Sequence, residues 1–262
     1  MSMSPLDRLK AWSPHFTRRL EQYPADQDWL EAVQGDRFEM PDLERDWQAF
    51  CSEEPVACDR QALGALQHFR RRHAMRVAYR EIGGLADVTD SLREMSLLAE
   101  FCLHKLCAWI EPGLWERFGL PICEASGQTC RWCVFALGKL GGVELNFHSD
   151  IDLIYVFEGS GHCRKNGRDT EISCHEYFNH FFRKLSAALT DKSPDGPLYE
   201  LDLRLRPEGD SGPLARTYNS LVGYYWSAGQ LWERQAWLKA RLVAGSSTLA
   251  GEVLEELNPF RY

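Results

Sequence analysis

No run of 18 apolar residues occurs in the 262-residue sequence, so no membrane span is expected. The N-terminus, Met-Ser-Met-Ser-Pro-Leu-Asp-Arg, lacks the apolar core of a signal peptide. Positive charge is also scarce. Thirty Lys and Arg stand against 38 Asp and Glu, for a net charge of −8. That balance argues against nonspecific nucleic-acid binding as a main purpose. Nine cysteines without a signal segment read as reduced thiols of a cytoplasmic protein, not as a disulfide framework. Cys130 and Cys133 form a C-x2-C pair with no second pair at zinc-site spacing. The pair lies in an apolar, strand-like run and is read as structural. The glycine loop at 138–142 forms neither a Gly-Lys-Ser/Thr phosphate loop nor Gly-x-Gly-x-x-Gly.

What is present suffices for two modest domains or one large one: 44% of the residues are hydrophobic. Residues 1–111 read as helices. Leu63, Leu66, Phe69, Met75 and Ala78 recur near the helical period. Arg70, Arg71 and Arg72 read as a solvated face of that helix. A long amphipathic helix follows, with Asp90 as its expected cap and Glu111-Pro-Gly-Leu as its stop and a domain boundary. From about 122 the pattern mixes strands and helices. Strands are expected near 130–137, 150–157 and 198–205, with a polar loop over 159–168. Helices are expected over 174–190, 217–228 and 231–243. Phe178, Phe181, Phe182, Leu185 and Leu189 form the buried stripe of the first. The division is therefore 1–111 helical, 122–245 catalytic, and 246–262 the start of a further helical region, expected to be truncated.

The most informative segment runs from Phe135 to Phe157. After Ser149 it reads Asp-Ile-Asp-Leu-Ile-Tyr-Val-Phe, strand-like in composition. Alternation puts Asp150 and Asp152 on one face, with Cβ atoms roughly 7 Å apart. Two carboxylates that close on a mostly buried strand repel one another and lose hydration. A divalent cation relieves both, and oxygen-only ligands favour Mg2+ or Mn2+. About 50 residues on, Glu200, Asp202, Arg204 and Arg206 alternate with Leu201, Leu203 and Leu205. Three carboxylates from two neighbouring strands suit in-line phosphoryl or nucleotidyl transfer, with Arg204 and Arg206 to neutralise phosphate oxygens. Gly138, Gly141 and Gly142 permit close backbone approach, and Lys139 adds charge beside them. Eleven residues separate Gly138 from Asp150.

That spacing, with the later Asp202, resembles the nucleotidyltransferase superfamily related to DNA polymerase β. The longer strings are more specific: Gly-Lys-Leu-Gly-Gly-Val-Glu-Leu-Asn-Phe-His-Ser-Asp-Ile-Asp-Leu from Gly138, and Asp-Leu-Arg-Leu-Arg-Pro-Glu-Gly-Asp-Ser-Gly-Pro-Leu from Asp202. They resemble the glutamate–ammonia-ligase adenylyltransferase family, whose members carry two such domains, one removing AMP from glutamine synthetase and one attaching it. Glu144 to Asn146, Ser149 to Asp152, Ser211 to Leu214, Tyr224-Tyr225, Trp232 to Arg234 and the stretch from Phe69 to Ala78 resemble the AMP-removing, N-terminal type. The resemblance implies an α+β fold: a helical N-terminal region, then a polymerase β-like domain of mixed sheet flanked by helices. It implies metal ligation by Asp150, Asp152 and Asp202, with Asp202 completing the metal site or activating the attacking oxygen. It gives Gly138, Lys139, Gly141, Ser149, Arg204 and Arg206 roles in binding phosphate or nucleotide. Mg2+ or Mn2+, ADP or ATP, and inorganic phosphate would be its cofactors and substrates. Glutamine synthetase would be the protein partner, with a PII-type nitrogen-signalling protein as a further one.

Three functions stay open: phosphorolytic removal of AMP, forward adenylylation from ATP, and a docking module without catalysis. His148 is placed either facing the cleft or covering it. Glu233, Arg234, Lys239 and Arg241 read equally as cleft lining and as helix-surface pairs.

Overall fold

The structure is a computed structural model that describes residues 3–32, 37–53, 59–193 and 196–262. The chain divides into two compact units. One comprises Met1–Cys102, Val143–His148 and Lys192–Leu198. The other comprises Leu103–Gly142, Ser149–Asp191 and Tyr199–Tyr262.

The first unit is helical. It holds α1 (Pro5–Trp12), α2 (Pro14–Gln22), α3 (Ala25–Ala32), α4 (Met40–Glu53), α5 (Asp59–Gly83) and the first part of α6 (Val88–Phe118). Ser4-Pro5 and Ser13-Pro14 open α1 and α2, each serine hydroxyl accepting from a backbone N–H in the first turn. Leu6, Leu9, Leu20, Leu30, Met75, Ala78 and Tyr79 form the core of this unit. The arginine run on α5 departs from the expectation. Arg71 is buried, with its guanidinium 4.2 Å from the centre of the Tyr23 ring. Arg72 lies 4.2 Å from the Trp29 ring centre and 3.2 Å from Asp26. Helices α1, α3 and α4 pack on α5, so little of it is left as a wet face. Cation–π contact and ion pairing offset the desolvation of these groups. Arg80 and Arg76 likewise converge on buried Glu94, which also accepts from the Phe38 amide at 3.0 Å.

Two further corrections concern α6. Its cap is Asp87, which accepts from the Asp90 amide at 2.8 Å, and Asp90 itself lies within the first turn. The helix does not stop at Pro112 but runs through it to Phe118. Loss of one N–H costs less than exposing Leu114 and Phe118, both buried beyond the proline. The stop is Gly119, at φ 89, where a Cβ would meet the Arg164 carbonyl oxygen at 2.5 Å.

The second unit carries two sheets. Strands β1 (Leu120–Cys123), β4 (Gly161–Lys165) and β5 (Arg168–Ser173) make one, in the order β1-β4-β5. The expected loop over 159–168 is thus largely a hairpin. Its turn, Asn166-Gly167, has φ 53 and 76, the left-handed pair that a two-residue hairpin requires. The larger sheet holds β2 (Trp132–Ala136), β3 (Ile151–Phe157), β6 (Leu201–Asp202), β7 (Ala215–Thr217) and β8 (Arg241–Gly245). Its order is β6-β3-β2-β8, with β7 also beside β3. Strand β3 is antiparallel to β2 and parallel to both β6 and β7. The expected strand over 198–205 shrinks to two residues, because the chain leaves the β3 edge after Asp202 and rejoins it at Ala215. The helix expected over 231–243 also ends early: α10 is Leu231–Leu238, and β8 follows.

Helices cover both faces of this sheet, which explains the continuous apolar run of β3. On one face lies α8 (Cys174–Thr190), capped by Ser173 and Glu176 in a reciprocal capping box. Its expected aromatic stripe is buried as read: Tyr155 stacks on Phe182 at 4.4 Å and Phe157 on Phe178 at 4.8 Å. On the other face, Phe135, Ile154 and Val156 meet residues of α9 (Tyr218–Ala228), α10 and α11 (Ser247–Glu256), including Leu221, Trp237 and Leu249. Cys133 belongs to this second core, and neither it nor Cys130 is in a disulfide. The short helices α7 (Gly138–Gly141) and α12 (Asn258–Arg261) complete the unit.

Candidate functional site

The site begins where β2 ends. The Leu137 amide donates to the Asp152 carbonyl oxygen at 2.9 Å, which ties the glycine loop to β3. The next residue, Gly138, has φ 52, and a Cβ there would stand 2.1 Å from Asp152 Oδ2. Only hydrogen leaves room for that carboxylate. Gly141 is buried, and its Cβ would meet the carbonyl oxygens of Lys239 at 2.3 Å and Ala136 at 2.6 Å. Its smallness therefore serves the packing of the loop. Arg241 fixes the far side of the same turn, donating to the carbonyls of Leu140 at 2.8 Å and Gly141 at 3.3 Å. Lys139 is exposed and donates to Ser149 Oγ at 3.0 Å, so these two residues meet at the loop's outer edge.

Asp152 and Asp202 are direct partners across the parallel β3–β6 pair. The Ile151 amide donates to the Glu200 carbonyl at 2.9 Å and holds that register. Side chains paired in this way leave the sheet on the same face, with strands about 4.8 Å apart. Asp150 stands just before β3, not within it, and is exposed. Burial, then the charges of Asp150 and Asp202, push the Asp152 carboxyl up to about 6, against the pull of Arg204 and Lys139. Asp202 moves the other way. Arg204 holds it below the usual carboxylate range, through Nε at 3.0 Å, Nη2 at 2.5 Å and its own amide at 2.8 Å. Arg204 is mostly exposed, whereas Arg206 is mostly buried and donates to the Leu203 carbonyl at 2.7 Å.

Asp150, Glu200, Asp202, Arg204, Arg206 and Asp210 line an open cleft of about 530 Å3. Asp152 sits beside it, between Asp202 and Gly138. Among the described residues, the three aspartates do not form a group with all ligand oxygens within 4.8 Å of one another. The donor set nevertheless fits a hard cation: three carboxylates, one of them raised by its neighbours, beside a backbone cradle that no side chain could share.

Other candidates fall elsewhere. Glu233 is buried, accepts from the Tyr224 hydroxyl at 3.0 Å and caps α10. Arg234 Nε donates to the Arg261 carbonyl at 3.4 Å. His148 is exposed. Sequence reasoning placed Glu200 on the face of Asp202 but gave it no site role, and left out Asp210. The signal for Asp210 was its place in the turn-rich stretch after Pro207, where Glu208 and Gly209 take φ 65 and 54 and fold the chain back toward Arg206.

The sequence matches the glutamate-ammonia ligase adenylyltransferase family over residues 3–256. The chain belongs to that family. Three relatives carry the name bifunctional glutamine synthetase adenylyltransferase/adenylyl-removing enzyme. The one from Nitrosococcus oceani is 36% identical over 207 residues, 79% of this chain and 21% of the relative. That from Pseudomonas aeruginosa is 33% identical over 276 aligned positions, 100% of this chain and 28% of the relative. That from Chromobacterium violaceum is 35% identical, covering 96% of this chain and 27% of the relative. The chain thus spans between a fifth and somewhat over a quarter of the length of these members of the family. No helix among the described residues is long and apolar enough to cross a membrane.

Proposed function

We propose that this chain removes AMP from an adenylylated tyrosine of glutamine synthetase by phosphorolysis. The observation that carries the reading is the cross-strand pairing of Asp152 with Asp202 beside Gly138. In the reaction, an oxygen of inorganic phosphate forms a bond to the phosphorus of AMP as the bond from that phosphorus to the tyrosine oxygen breaks. The phosphate gives up a proton, the tyrosine oxygen takes one, and ADP leaves. Arg204 and Arg206 flank the cleft and are suited to hold the attacking phosphate. Arg204 must first release Asp202, and its exposure leaves it free to swing. The turn from Gly138, held by Arg241, offers backbone approach to the nucleotide phosphate, with Lys139 and Ser149 at its rim. Asp150, Asp152 and Asp202 would hold Mg2+ or Mn2+, which supplies charge stabilisation at the phosphoryl oxygens when bound.

The forward reaction is the second reading, because the relatives' names join both activities. The same acids serve either direction. The Ser149, Tyr224-Tyr225 and Trp232 to Arg234 motifs support the removing type. A PII-type signalling protein is proposed as a further partner, and nucleic acid and membrane are not. The test is to incubate the chain with AMP-modified glutamine synthetase, phosphate and Mg2+. ADP is the expected product, with none from Asp152→Asn. AMP labelling of unmodified glutamine synthetase from ATP selects the forward reaction. Binding to glutamine synthetase with no turnover, unchanged by Mg2+ or by Asp152→Asn, selects the docking reading.

A further inference from the structure

A second cluster of ligand atoms stands at the other end of β3. Cys123 Sγ, Cys130 Sγ and a Glu158 carboxylate oxygen lie within 4.8 Å of one another. They come from three places: the end of β1, the segment between β1 and β2, and the residue after β3. The Cys174 thiol, on the first residue of α8, lies outside that group and donates to the Ile122 carbonyl oxygen at 3.3 Å. All three cysteines are buried and none is in a disulfide. Six residue steps along the chain separate Asp152 from Glu158. At about 3.3 Å per step this puts roughly 20 Å between the two clusters.

We propose that Cys123, Cys130 and Glu158 form a binding site for a borderline-soft divalent ion of the zinc class, distinct from the aspartate site. Two thiolates and one carboxylate, with a fourth position left to water, are a donor set of the zinc type and a poor one for Mg2+. Tetrahedral Zn2+ with sulfur at about 2.3 Å needs ligands about 3.8 Å apart. The three mutually close atoms, all within 4.8 Å, therefore need to close by roughly 1 Å or less. Each thiol that ligates gives its proton to solvent.

Glu158 is already oriented. Its Oε2 accepts from the Arg131 amide at 3.1 Å and its Oε1 from Arg131 Nη2 at 3.0 Å. Each oxygen keeps a lone pair for a metal, and Arg131 is itself held by Glu252 at 2.7 Å. The ion also has a way in. A cleft of about 250 Å3, lined by Glu111, Trp115, Thr129, Cys130 and Arg131 among others, reaches the Cys130 side of the cluster. The competing account is that these thiols fill space as small apolar groups. Packing accounts for the thiols and the Arg131 ion pair for the carboxylate, but neither asks the three to converge within 4.8 Å.

The experiment titrates the reduced, metal-free chain with Zn2+ against a chromophoric chelator, and with Co2+ to read thiolate charge-transfer absorption. One ion per chain is expected, bound more tightly than micromolar, with cobalt spectra typical of sulfur ligation. Cys130→Ser is expected to weaken binding by about 100-fold or more and Glu158→Gln by about 10-fold. Asp152→Asn is expected to leave it unchanged. Circular dichroism checks the fold of each variant, and Glu158→Gln carries the test if Cys130→Ser does not fold. Stoichiometric binding that is absent, untouched by both variants, or lost in Asp152→Asn overturns the proposal. A Cys123–Cys130 disulfide formed in preference to metal uptake overturns it too.

Discussion

Asp152 is the residue at which folding and chemistry pull apart. Its carboxyl loses a proton near 3.8 in an unfolded chain and only near 6 in the folded one. Between those values the folded state binds more protons, so stability falls as pH rises, and the full penalty applies above about 6. A difference of that size is worth about 2–3 kcal/mol in a dry site. Partial solvent access reduces it to about 1 kcal/mol. Each phenylalanine of α8 contributes about 1.5–3 kcal/mol by burial, so the sheet carries the cost without difficulty. Asp152→Asn is therefore expected to raise the unfolding free energy of the metal-free chain by about 1 kcal/mol at pH 8 and to change it little at pH 4, read by denaturant titration. Mg2+ is expected to raise the wild-type melting temperature and to leave that of the variant unmoved. A melting temperature for the variant at pH 8 equal to or below wild type would remove the electrostatic account. Gly138→Ala makes a separate claim. A methyl group in contact with Asp152 Oδ2, at φ 52, is expected to lower the proposed AMP-removing activity by about 100-fold or more while leaving far-UV circular dichroism native.

At the scale of elements, short apolar periods were legible and polar pairings were not. The α8 stripe announces itself by its helical period, and the β3 run by its shortness and its β-branched and aromatic residues. Hairpin β4–β5 was missed because only Cys163 of β4 is buried, so the stretch carries no apolar alternation. Its one available signal was Asn166-Gly167. A Cβ on Gly167 would meet nothing within 4 Å, so only its φ of 76 matters. Gly167→Ala is expected to cost about 1 kcal/mol in thermal unfolding with no change in transfer activity. A neutral substitution would mean that the turn has another conformation. Strand β6 was overread for a related reason: the alternation from Tyr199 to Leu205 satisfies the pattern, but the Asp202 carboxylate accepts the Arg204 amide and turns the chain away. The α5 arginines show the opposite error, since charge in a sequence is silent about which neighbours will surround it.

For the whole molecule, the mixed helix-and-sheet class was legible. The acidic balance of −8 leaves cationic side chains as local features, and three of them, Lys139, Arg204 and Arg206, gather near the acids. The candidate site was legible because its spacing carries chemistry: Gly138, the eleven-residue gap and the Asp-x-Asp pair were all visible in the sequence. Cooperation between distant residues was not. Arg241 lies 100 positions beyond Gly141 and yet holds its carbonyl, a relation that only the β2–β8 pairing creates. The second ligand cluster escaped notice for the same reason, because Cys123, Cys130 and Glu158 share no motif spacing and meet only once β1 and β3 are assembled.

The β3–β6 register has one further consequence. The gap between neighbouring strands is a constant of the polypeptide backbone, unaffected by which side chains it bears. Two acids set opposite each other are therefore gauged by a ruler that lengthening or rewriting the excursion over 203–214 leaves alone. Under the proposed function, variation in that excursion would retune which phosphate ester is gripped while the tool that works on it kept its calibration.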